Sequence, residues 1–95
     1  METNEIISKI ENATLQTEED LQNIAILLSG KDETLIKPLF NLLERFPDFH
    51  FGKPGPIIHY LAQFPDDVYT PCLYASVCKK PTEYNIWMMN RLLNS

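Results

Sequence analysis

Few side chains in this chain have the types and spacing that covalent chemistry needs. His50 stands between Phe49 and Phe51, and His59 sits in an apolar stretch. Neither has an Asp or Glu three or four residues away to orient its imidazole as a general base. Cys72 or Cys78 with His59 would supply the nucleophile and base of a thiol hydrolase, but only residue identity supports that pairing. The two cysteines are six residues apart in a segment that reads as helix, which separates them by about 9 Å along the axis. That exceeds disulfide reach, so free thiols are expected. Two cysteines and two separated histidines make no zinc pattern. Asp66-Asp67 lacks metal-ligand spacing around it and reads as a helix cap.

Gly52-Lys53-Pro54-Gly55-Pro56 resembles a phosphate loop only on its surface. Its lysine precedes the second glycine, no Ser or Thr comes after, and two prolines remove N–H donors that would cradle phosphate. The expectation is no catalytic residue, no metal and no cofactor.

Recognition is the better-supported chemistry. Tyr84, Trp87, Met88 and Arg91 share one face of the last helical segment at spacings of three, four and seven. These residue types are enriched at the centres of protein interfaces. A second face, Ile86, Met89, Asn90 and Leu93, is apolar enough to supply the core contact. The aromatic face would then be free for a partner, unless it packs inward beneath the loop at 47–56.

Charge adds a second signal. Eight basic and thirteen acidic side chains give −5. Residues 1–48 hold ten of the acids and four of the bases. Such a chain repels nucleic-acid backbones and attracts basic partners, nucleases among them. Glu18, Glu19, Asp20, Glu44 and Asp48 are the expected steering charges, although acidity also serves simply to keep a small protein soluble.

The elements that must position these groups are helices. Twelve Leu against two Val, with only three Gly, favours helix over a turn-rich barrel. Ile6, Ile7 and Ile10 predict a helix over Glu2–Glu11. Thr17 followed by Glu18, Glu19 and Asp20 predicts a capped helix over about 18–29, in which Leu21, Ile24, Ile26, Leu27 and Leu28 follow, with Leu27 on the buried face and Gly30 as its stop. Asp32 caps a third helix that contains Pro38 and ends at Pro47. Pro47 to Pro56 is the main break. Pro56 opens a fourth helix, Asp66 or Asp67 a fifth with Pro71 inside, and Thr82 a sixth.

The fold class is therefore all-α: about six short helices in antiparallel pairs within one domain over 1–95. The interrupting prolines, 33 residues apart, suggest a HEAT-like stack, with an irregular helical bundle as the alternative. No apolar run approaches the roughly 20 residues that span a bilayer, and no signal peptide is apparent, so a cytoplasmic location is expected.

Residues 51–94, just under half the chain, resemble small bacterial immunity proteins of polymorphic toxin and contact-dependent growth inhibition systems. The resemblance lies in Phe51-Gly52-Lys53-Pro54-Gly55-Pro56, in Pro81-Thr82-Glu83 and in Trp87-Met88-Met89-Asn90-Arg91-Leu92-Leu93-Asn94. It implies a non-enzymatic cytosolic protein that binds a cognate toxin domain, often a nuclease, and blocks its active site or its access to substrate. It transfers no individual binding residues. The alternative function is a HEAT-like adaptor with a cellular protein partner.

Overall fold

The computed structural model describes residues 2–28, 30, 32–52 and 55–94. Among them are six α-helices and no strand: α1 (Thr3–Glu11), α2 (Glu18–Ala25), α3 (Ile36–Arg45), α4 (Gly55–Leu61), α5 (Asp66–Lys79) and α6 (Glu83–Leu93), with a 3-10 turn at Glu33–Leu35 before α3. None of these helices is long and apolar enough to cross a membrane. Lys53 and Pro54, within the segment compared with a phosphate loop, lie outside the described residues.

Helix starts are set by local side-chain chemistry. Thr17 Oγ1 accepts the Asp20 N–H at 3.3 Å, while Asp20 Oδ2 accepts the N–H groups of Gln16 and Thr17 at 2.9 and 3.0 Å. These bonds satisfy amides that a helix start otherwise leaves free. Thr82 and Asn85 build the same reciprocal box at α6, with Thr82 N–H on Asn85 Oδ1 at 2.7 Å. Asp32 caps the 3-10 turn, which moves the start of α3 so that Pro38 falls in its first turn. There its missing N–H costs no helical bond. At α5 the expectation fails. Its cap residue is Pro65, with no side-chain bond, and Asp66 and Asp67 occupy the first turn instead. They act there through the helix dipole alone.

Helix α3 occupies the middle. It packs against α1, α5 and α6, while α2 packs against α4 and α6 also covers α5. Odd-numbered helices thus neighbour each other and α2 neighbours α4, the order that folded-back helix pairs produce. The radius of gyration is 12.4 Å. About 12 Å is expected of any compact chain this long, so the helices close on one core. Leu39, Leu42 and Leu43 of α3 meet Ile10, Ile57, Ile58, Leu61 and Leu73 in that core, all fully buried. Each such side chain stabilises the fold by roughly 1.5–3 kcal/mol through burial.

Helix α2 is shorter than expected. It ends at Ala25 with a turn at Ile26 and Leu27, so the expected stop at Gly30 falls beyond it; Gly30 has a φ of +69°, which glycine adopts without strain. Leu21 and Ile24 are buried, Leu27 and Leu28 are only partly so, and Ile26 is 77 % exposed. Ile26 keeps helical backbone angles, and the 3.6-residue period places it on the side opposite Leu21 and Ile24, towards solvent.

Candidate functional site

The position of α6 is set by a chain of buried polar contacts. Asn85, fully buried, donates from Nδ2 to Ser76 Oγ at 3.1 Å and to the Lys80 carbonyl at 2.9 Å. Ser76 Oγ donates to Glu44 Oε2 at 2.8 Å, and Lys79 Nζ lies 3.3 Å from Glu44 Oε1. The chain ties α3, α5 and α6 together and permits one rotation of α6. A buried amide left unpaired by any other rotation would be expensive.

That rotation differs from the sequence expectation. Tyr84, Asn85 and Met88 face inward, while Ile86 and Leu93, assigned to the core face, are exposed. Tyr84 and Met88 are therefore core residues, not surface anchors. The Tyr84 hydroxyl accepts the Phe51 N–H at 2.9 Å, and its ring meets Phe51 edge-to-face at 5.1 Å. Tyr84 thus pins the 47–52 loop against α6, because a buried phenol needs a hydrogen-bond partner and the loop supplies one.

Trp87 and Arg91 flank the buried residues at the edge of a groove of about 280 Å³. Ile58 and Ala62 contribute from the α4 side, Asp66 and Tyr69 from α5, and Trp87, Met88, Arg91 and Leu92 from α6. The Arg91 guanidinium carbon lies 5.0 Å from the Trp87 ring centroid, within cation–π distance. Burial raises the Tyr69 phenol above its ordinary pKa of 10.0 and the Asp66 charge raises it further, while Arg91 opposes both. The groove therefore offers a half-buried indole, a stacked cation, a carboxylate and a neutral hydroxyl over an apolar floor. These groups suit recognition of another surface.

The steering charges divide. Glu18 and Glu19 are exposed in the first turn of α2, and Asp48 is exposed in the loop after α3. Glu18 and Asp48 come together around a separate cleft of about 560 Å³ with Phe49 and His50. Asp20 is held by its capping bonds, which lower its pKa below 3.8, chiefly through the backbone N–H groups of Gln16 and Thr17. Glu44 is buried and bonded to Ser76 and Lys79, so it steers nothing; its carboxylate is needed inside to satisfy the Ser76 hydroxyl.

Asp66, Tyr69, Ile58 and Ala62 are site residues that sequence reasoning does not reach. Asp66 is legible only as a cap, and nothing in its neighbours signals the groove. Cys72 and Cys78 are free thiols, and His59 is exposed on α4. Among the described residues no group of three or more His, Cys, Asp or Glu side chains converges as metal ligands would. Comparison with protein families, with curated proteins and with solved structures gives no match for this chain.

Proposed function

We propose that this chain is an immunity protein that neutralises a cognate toxin domain, a basic nuclease domain by preference, through stoichiometric binding in the cytosol. The observation that carries the reading is the Trp87–Arg91 pair, stacked at the rim of the groove between α4, α5 and α6. Trp and Arg are the side chains that most often dominate interface energetics, above all beside an apolar pocket. The exposed carboxylates Glu18, Glu19 and Asp48 add an acidic field that would speed encounter with a basic domain. The resemblance of residues 51–94 to immunity proteins supplies the partner class.

Co-expression with the product of the adjacent reading frame tests the proposal. The expected result is a one-to-one complex and restored growth of cells that carry the toxin. Trp87→Ala and Arg91→Ala should each weaken the complex about tenfold or more, about 1.4 kcal/mol, with an unchanged helical spectrum. Absence of both complex and rescue would overturn it.

A further inference from the structure

Half of the chain's basic side chains stand along one groove on another face. Lys37, Arg45, Lys79 and Lys80 are four of eight Lys and Arg in a chain of net charge −5. They line two clefts of about 280 and 410 Å³ on α3 and α5, which share Asn41, Glu44 and Lys79 and so run into one another. Phe40, Cys72 and Ala75 supply apolar lining.

Two carboxylates reach this groove. Glu44 is buried and already engaged by Ser76 and Lys79. Glu11 lies at the far end, where Arg45 donates to the carbonyls of Glu11 and Ile10 at 2.6 and 2.7 Å. Those contacts hold Arg45 in place without neutralising it, because backbone carbonyls carry no net charge. Lys37 and Lys80 are exposed and have no ion pair among the described residues. Lys79 Nζ also donates to Asn41 Oδ1 at 3.4 Å, but its side chain is 68 % exposed, so the third ammonium proton can serve a further acceptor. Cations therefore prevail locally in a protein that is acidic as a whole.

We infer that the α3–α5 groove docks an acidic, extended segment of a partner protein. Lys37 and Arg45 are eight residues apart on one helix, or about 12 Å, the span of about four extended residues. Such a segment places carboxylates against Lys37 and the Lys79–Lys80 pair, and an apolar side chain between them against Cys72 and Ala75. The Debye length at physiological salt is about 8 Å, so acids elsewhere on the molecule are screened from a contact made inside the groove. Nucleic acid fits less well. Its phosphates repeat over many nucleotides, whereas the chain outside the groove holds eleven acids against four bases. The inference holds whichever partner occupies the Trp87 groove.

The test uses the full-length protein, isotopically labelled for amide NMR. It is titrated with an Asp/Glu-rich heptapeptide carrying one Leu, with the Lys/Arg counterpart, and with a short oligo-dT. The acidic peptide alone should shift the amides of Lys37, Asn41, Lys79 and Lys80, about tenfold more weakly at 0.5 M than at 0.05 M salt. Lys37→Glu with Lys80→Glu, both at exposed positions, should abolish those shifts and leave the helical spectrum intact. The inference is overturned by shifts confined to other faces, or by none at millimolar peptide. Equal binding of oligo-dT, which would mark a phosphate surface, overturns it too. So does self-association that perturbs the same amides, which would mark a second copy as the occupant.

Discussion

At the residue scale, single polar atoms decide which surfaces are free. The Tyr84 hydroxyl is the acceptor for the buried Phe51 N–H. Tyr84→Phe keeps the ring contacts and strands that amide, at a cost of about 1–3 kcal/mol. Urea unfolding should show this as a lower midpoint at constant slope; an unchanged midpoint would mean the bond contributes nothing net. Asp20 and Asp32 behave differently. Both carboxyls lie below their ordinary value of 3.8, Asp20 through the N–H groups of Gln16 and Thr17, Asp32 through the Thr34 side chain and N–H. A folded-state pKa below the unfolded one means that the unfolded chain binds protons first on acidification. Their contribution is therefore complete above about pH 4 and fades as pH falls through the depressed values. Asp20→Asn should flatten the loss of stability between pH 5 and pH 2 in denaturation curves taken across that range. A wild-type slope in the variant would show that the capping carboxylate is not the titrating group.

At the element scale, depth in the core separates helices that look alike in sequence. Leu39 of α3 is fully buried, whereas Leu27 lies past the end of α2 and is only partly covered. Leu39→Ala should cost about 2–5 kcal/mol, while Leu27→Ala should fall below that range because less surface leaves the core and no closed cavity forms. Thermal melts of the two variants check the order, and equal losses would put Leu27 back on the buried face that its sequence spacing suggests. Pro71 lies inside α5, one turn from its start, where a proline removes a bond without unwinding the later turns of the helix. Pro71→Ala should therefore leave the far-ultraviolet spectrum helical and within a few per cent of wild type.

At the scale of the whole molecule, the acids are spread widely and the cations are concentrated. Glu18 and Glu19 on α2 and Asp48 in the loop after α3 are exposed, further exposed acids stand on α1, α5 and α6, and four of the eight cations line the α3–α5 groove. Association with a basic toxin domain should slow as salt rises, because steering acts through the long-range field that salt screens. Stopped-flow rates at 0.05 and 0.5 M salt would read this directly, and a flat profile would remove the acidic face from the encounter while leaving the Trp87 groove intact.

Much of this architecture is legible in the sequence because its signals are local. Thr17 with Asp20, Thr82 with Asn85, and Asp32 act on backbone groups a few residues away, so helix class and most starts need no tertiary information. The rotation of α6 does need it. Two of its faces carry apolar side chains, and the helical period alone ranks neither. The choice comes from Asn85, which finds Ser76 nine residues back on α5 and, through it, Glu44 on α3. That partnership draws Tyr84 and Met88 inside, turns Ile86 and Leu93 out, and leaves Trp87 and Arg91 at a rim that Asp66 and Tyr69 complete. Capping operates over one helical turn, whereas the pairing of buried polar groups depends on which distant segments meet, and only the assembled core decides that.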